Sequence, residues 1–183
     1  MSKSDMRRSG QAPIGSAKTV RGMSRSEKKY LVETLGEYAM FERCTPKDLT
    51  ALVDAGEEFI YPADWALMLE HTPADACYAI VRGQASVYRD RQVIAELGPG
   101  AIIGEMAVLT GQLRRATVTS TTTLRGLRVE NAALTTLFGK RPQLLDALRG
   151  TFQARIDAAK EPHLRPGLRA AYGTYGRTAP TMA

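Results

Sequence analysis

At 183 residues and 44% hydrophobic content, the chain has the length of one domain with flanking arms, and no apolar run reaches membrane-spanning length. Two cysteines, Cys44 and Cys77, and two histidines, His71 and His163, exclude a disulfide framework and argue against a histidine-built metal centre. The net charge of +6 is uneven: residues 1–29 carry eight Lys/Arg against two acids, residues 30–159 thirteen against sixteen, and residues 160–183 four against one, so the body is mildly acidic and both ends are basic.

Residues 1–23 are rich in Ser, Gly, Lys and Arg without periodicity, so the sequence predicts a disordered basic arm. They lack the apolar centre of a signal peptide, and with two ordinary thiols this places the expected protein in the cytoplasm. From Ser24 onward Tyr30, Leu31, Leu35 and Tyr38 recur at helical spacing, with Ser26 as the expected cap. Thr45-Pro46 opens a second helix, with Leu49, Leu52 and Val53 on one face and Gly56 at its end.

After Gly56 the period changes to two. Short strands are predicted around Phe59–Tyr61, Ala66–Leu69, Cys77–Val81, Ala85–Tyr88, Val93–Leu97, Ile102–Ile103, Thr117–Thr121 and Leu124–Val129, with turn residues between them. Asn131 is the expected cap of a return to helix, followed by a longer helix from Pro142 to Ala159 with Leu144, Leu145, Leu148, Phe152 and Ile156 on one face. Residues 160–183 form a basic tail punctuated by Gly and Pro, with Tyr172 and Tyr175 in it. The expected fold class is α+β, mainly β: an eight-stranded antiparallel jelly-roll barrel flanked by helices at both ends, over residues 24–159.

The chemistry concentrates in Gly98–Val118, GPGAIIGEMAVLTGQLRRATV. Gly104-Glu105 opens a short helical turn whose free N–H groups favour a polar or anionic ligand oxygen. The Glu105 carboxylate can accept from a sugar hydroxyl, and Arg114 offers a rigid fork of donors to a phosphodiester. Ala116 is small enough to let its backbone N–H approach that phosphate.

This stretch resembles the phosphate-binding cassette of the cyclic nucleotide-binding domain family. The resemblance rests on Ile103-Gly104-Glu105-Met106-Ala107-Val108 leading without a gap to Arg114-Arg115-Ala116-Thr117-Val118, on Leu97-Gly98-Pro99-Gly100, and on Tyr78-Ala79-Ile80-Val81-Arg82-Gly83. It covers roughly Thr45 to Arg155. It implies a ligand-binding set of Gly104, Glu105, Met106, Ala107, Arg114, Arg115, Ala116 and Thr117, with Glu105 on the ribose 2′-OH and Arg114 on the cyclic phosphate. Cyclic AMP or another cyclic nucleotide is the implied ligand, and no metal and no catalytic residue is expected.

The sequence departs from the family pattern at several places. Arg115 stands where relatives have Ala, Ser or Thr, so its cation could face solvent, add a phosphate contact or block the pocket. Leu113 replaces a proline, and Ala63, His71 and Arg91 stand at positions where the family has turn glycines. Only 24 residues follow Ala159, too few for a helix-turn-helix module, and a kinase or channel is not accommodated by this length. The expectation is a stand-alone sensor that signals to a protein partner through its C-terminal helices, with Leu148 and Phe152 as candidate lids over the base or as plain core. Homodimerisation through the last helix and nucleic-acid contact through the basic ends are further expectations. The alternative is a diverged domain that binds no nucleotide and serves as a protein or RNA interaction subunit.

Overall fold

The computed structural model describes residues 18–20 and 22–160, so most of the expected N-terminal arm and the tail beyond Lys160 lie outside the described residues. Side chains of 18–20, 152 and 155–160 are likewise outside it, including the expected lid residue Phe152.

Helix α1 (Arg25–Gly36) starts at Ser24 rather than Ser26. The Ser24 hydroxyl accepts from Glu27 N, and the Glu27 carboxylate accepts from Ser24 N, a reciprocal box that Ser26 cannot form because its own third residue onward is Lys29. A 3₁₀ turn (Ala39–Phe41) follows, then α2 (Pro46–Asp54), capped by Thr45 as expected. Thr45 and Asp48 form a second reciprocal box, and Asp48 also accepts from Arg141 at 3.1 Å.

The expected strands are all present: β2 (Glu57–Tyr61), β3 (Ala66–Met68), β4 (Ala76–Arg82), β5 (Ala85–Arg89), β6 (Gln92–Leu97), β7 (Ile102–Ile103), β8 (Thr117–Ser120) and β9 (Leu124–Glu130). A further strand, β1 (Lys18–Val20), lies inside the stretch expected to be structureless. Its backbone pairs with β2, Thr19 opposite Phe59, and covers what would otherwise be an open sheet edge. One sheet has the order β1-β2-β9-β4-β7 and the other β3-β8-β5-β6, with every pairing antiparallel.

Two cores result. Phe59, Tyr78, Ile80, Leu97, Ile103, Val118 and Leu124 fill the space between the sheets, with Tyr78 edge-on to Phe59. Gly126 of β9 is what lets β4 come this close, since a Cβ there would lie 2.0 Å from the Ala79 carbonyl oxygen. On the outer face of the larger sheet, Cys77, Ala79, Ile102, Leu127 and Val129 meet Leu31, Leu35, Phe41, Leu49 and Leu52. Helices α4 (Asn131–Lys140) and α5 (Pro142–Lys160) add Leu134, Leu137, Leu144 and Leu148 to that second core. Asn131 is the first helical residue rather than the cap; Glu130 takes the cap position without a side-chain bond, and Asn131 N donates to the Asp75 carbonyl. Among the described residues no helix is long and apolar enough to cross a membrane.

Candidate functional site

The cassette begins where β7 ends. Gly104 turns the chain with φ of +87° into the short helix α3 (Glu105–Thr110), and Gly111 closes it, also left-handed. Glu105 is fully buried, Ala107 is buried and Met106 is half-buried. Gly104 has a second reason to lack a side chain: a Cβ would sit 2.2 Å from Arg114 Nη1 and 3.1 Å from the Ala76 carbonyl oxygen. The position therefore demands glycine both for its backbone conformation and for space.

Among the described residues Arg114 is the largest side chain to be all but sealed from solvent, 2% exposed. Its Nη2 donates to Asp75 Oδ1 at 2.7 Å and to the Ala76 carbonyl at 2.6 Å, and Nη1 donates to the Gly104 carbonyl at 3.1 Å. The backbone is pinned as well, since Arg114 N donates to Thr72 O and Arg114 O accepts from His71 N, each at 2.8 Å. One donor remains. Arg114 Nε is buried and has no hydrogen-bond partner in the protein. A buried guanidinium donor left unpaired is costly, so the position suits an acceptor supplied from outside the chain.

Asp75 holds the arginine in place. It also accepts from Arg128 Nη2 at 3.1 Å, and Arg128 reaches on to Glu130 at 3.3 Å and Glu57 at 3.9 Å. Partial burial works to raise the Asp75 carboxyl, but the hydrogen bonds from Arg114 and Arg128 outweigh it and hold the group below the ordinary aspartate range. At neutral pH the carboxylate is charged, and the Arg114 guanidinium keeps its orientation.

A cavity open to solvent lies in front of this arginine. Of the eight expected residues, seven line it: Gly104, Glu105, Met106, Ala107, Arg114, Arg115 and Ala116. Thr117 does not; its hydroxyl accepts from Glu70 N at 3.0 Å, which fastens β8 to the turn after β3. Arg115 is exposed and stands on the wall of the cavity rather than filling it, and its carbonyl accepts from Arg89 Nε at 3.3 Å. Arg89, Met68, Val87 and Ile94 line the cavity too, although they lie outside the cassette that the sequence marks. Period-two spacing could have flagged Val87 and Arg89 as neighbours on β5, but nothing local ties Asp75 to an arginine 39 positions later.

The turn substitutions have structural consequences. His71, Asp90 and Arg91 all take positive φ, at 62°, 49° and 64°. The fourth such residue is Asp64 at 61°, not Ala63 as its place in the pattern suggested. Aspartate and histidine tolerate this region better than most residues; Arg91 carries the larger strain.

Fold and site together define a helix-flanked β-roll whose single cassette wraps a cavity around a buried arginine. Residues 58–141 match the family model described as the cyclic nucleotide-binding domain. Among curated proteins it is 33% identical over 120 residues to a cyclic nucleotide-gated potassium channel of Mesorhizobium japonicum, covering 66% of this chain and 33% of the channel. It is 22% identical over 129 residues to a CRP-like cAMP-activated global transcriptional regulator of Mycobacterium tuberculosis, covering 68% of this chain and 58% of the regulator. The chain thus spans about a third of the one and somewhat over half of the other. Among solved structures, a cyclic nucleotide-binding domain from Methylobacillus flagellatus superposes with a TM-score of 0.69 at 23% identity, covering 82% of this chain and 89% of that one. The Thermus thermophilus catabolite activator protein gives 0.62 at 20% identity, covering 66% and 59%. At these identities the two structures speak to the fold alone.

Proposed function

We propose that the chain is a regulatory protein that binds a cyclic nucleotide, cyclic AMP in the first instance, in the cavity at Arg114, and signals through α4 and α5. The observation that carries this is the unpaired, buried Nε of Arg114 at a cavity whose other walls include the Glu105 carboxylate and the small residues Gly104 and Ala116. A cyclic phosphate offers acceptor oxygens to that donor, and Glu105 supplies an acceptor for a ribose hydroxyl. Met68, Val87, Ile94 and Leu97 give the remaining walls an apolar character suited to a base or sugar face.

The signalling part rests on α3. Its first turn borders the cavity, while Val108 and Leu109 pack into the core that holds Leu144 and Leu148 of α5. Drawing the start of α3 toward a bound phosphate shifts its far end against α5, so the ligand biases a helix arrangement that a partner protein, in the cytoplasm or as a second copy of the chain, can read. The other reading, a diverged domain that binds no nucleotide, draws on Arg115, whose cation shares the wall on which the phosphate would lie.

Isothermal titration of nucleotide-stripped protein with cyclic AMP and cyclic GMP separates the two. Saturable binding that drops by roughly a hundredfold or more in Arg114→Ala supports the sensor. Absence of binding to the folded wild type overturns it.

A further inference from the structure

We propose that Arg89 and Arg115 form a second anion subsite at the mouth of the cavity, so that the pocket takes a nucleotide carrying a second phosphate in preference to a singly charged cyclic mononucleotide. The inference rests on the cavity at Arg114 being a nucleotide site and adds to it the charge its ligand must carry.

Three arginines line the cavity, Arg89, Arg114 and Arg115, against one acid, Glu105. Arg114 is answered from behind by Asp75. No such answer exists for the other two: among the described residues neither the Arg89 nor the Arg115 guanidinium has an ion-pair partner. The Glu70 carboxylate of the turn after β3 lies 3.9 Å from His71 and accepts from Asp90 N.

The two cations are also held together. Arg89 sits at the end of β5, and its Nε donates to the Arg115 carbonyl at 3.3 Å, so the stem of one is tied to the backbone of the other. Two like charges at one cavity mouth repel, and an anion between them turns that repulsion into attraction. Both side chains are exposed, so the cost without a ligand is small and a phosphate can reach them from solvent. A cyclic phosphodiester brings one negative charge, which Arg114 Nε can accommodate alone. It leaves the cations at the mouth unmatched. A second phosphate places a planar pair of guanidinium forks against tetrahedral oxygens, the geometry that arginine serves best.

Two sources supply the same chemistry, a cyclic dinucleotide or an open-ring nucleoside bisphosphate, and the experiment distinguishes them. Nucleotide-stripped full-length protein is titrated with cyclic AMP, cyclic GMP, cyclic di-GMP and adenosine 3′,5′-bisphosphate, for wild type, Arg89→Gln, Arg115→Gln and the double variant. The expected result is that at least one of the two ligands with two phosphates binds wild type about tenfold or more tighter than either mononucleotide. The double variant should erase that preference, weakening the favoured two-phosphate ligand at least about tenfold more than it weakens either mononucleotide. Which ligand shows the preference identifies the source. Urea unfolding of each variant confirms that these exposed substitutions leave the fold intact. Mononucleotide binding with no preference, or with a preference the variants do not alter, overturns the subsite and leaves the cyclic nucleotide reading standing. Tighter mononucleotide binding in Arg115→Gln overturns it as well, because the arginine is then an obstruction. If none of the four ligands binds, the subsite and the nucleotide site fall together.

Discussion

Gly104 and Arg114 are ten positions apart in sequence and share one volume. The glycine hydrogen atom faces the space that the guanidinium fills, and the same glycine's carbonyl accepts from it. Gly104→Ala should therefore act twice, straining a φ of +87° and driving a methyl group into Nη1. The expected outcome is a loss of about 1–3 kcal/mol in stability by urea unfolding, together with weakened cyclic nucleotide binding. A variant as stable and as avid as wild type would show that the guanidinium has room to move. Arg114→Lys makes a complementary test. Lysine keeps the charge but cannot serve Asp75, the Ala76 carbonyl and the Gly104 carbonyl from one plane, so binding should fall nearly as far as in the alanine variant. Retention of most of the affinity in the lysine variant would mean that charge, not the fork, holds the ligand.

Elements of this fold are fastened at their ends. Asp48 caps α2 through Thr45 and reaches Arg141, the residue between α4 and α5, so one buried carboxylate ties the N-terminal helices to the C-terminal pair. The Thr45 hydrogen bonds, with a smaller contribution from Arg141, hold its carboxyl below the usual range against the opposing effect of burial. Because the folded-state value is depressed, its stabilisation is complete above the unfolded-state value near pH 4 and is lost as pH falls through the folded-state value. The difference in urea midpoint between wild type and Asp48→Asn should be largest near neutrality and shrink toward pH 3; a difference that stays constant with pH would sink this assignment. Cys44 at this junction is inert by comparison, its thiol pushed up to about 11 by burial and by Asp48. Much of this scale was legible beforehand. Thr45-Pro46 with Asp48 carries its cap in four consecutive residues, and the strands from Phe59 to Val129 announce themselves by period two. What was not legible depends on long-range pairing. Ser24 outcompetes Ser26 only because Glu27 can answer it, β1 exists only because β2 has an open edge, and the Asp75–Arg114 pair joins a turn to a cassette that no local pattern connects. The positive φ at Asp64 rather than Ala63 belongs to the same class, since turn register is set by the strands that close on it.

For the molecule as a whole, the consequential feature is that α3 lies between the ligand cavity and the helical core. Its opening residues border the cavity between the sheets' edges, and Val108 and Leu109 join the helical core with Leu144 and Leu148. The second core also contains a small, wholly apolar void bounded by Phe41, Leu52, Ile102, Leu134, Leu144 and Leu148, which leaves the α4–α5 pair space to repack. Ligand-driven movement should therefore travel through Leu109 and appear in α5, while β2 and β9 stay fixed by their Phe59–Gly126 register. Hydrogen exchange with and without saturating cyclic AMP is expected to change over residues 105–110 and 142–160 and to remain flat over 57–61 and 124–130. Leu109→Ala trims a half-buried side chain away from the ligand cavity, so nucleotide affinity should change by less than about threefold. The exchange response in α5 should shrink in this variant even though α3 still responds. If α5 responds in Leu109→Ala as fully as in wild type, the signal leaves the cassette by another route, and the chain Arg114–Asp75–Arg128–Glu130, which ends at the first residues of α4, becomes the connection to test.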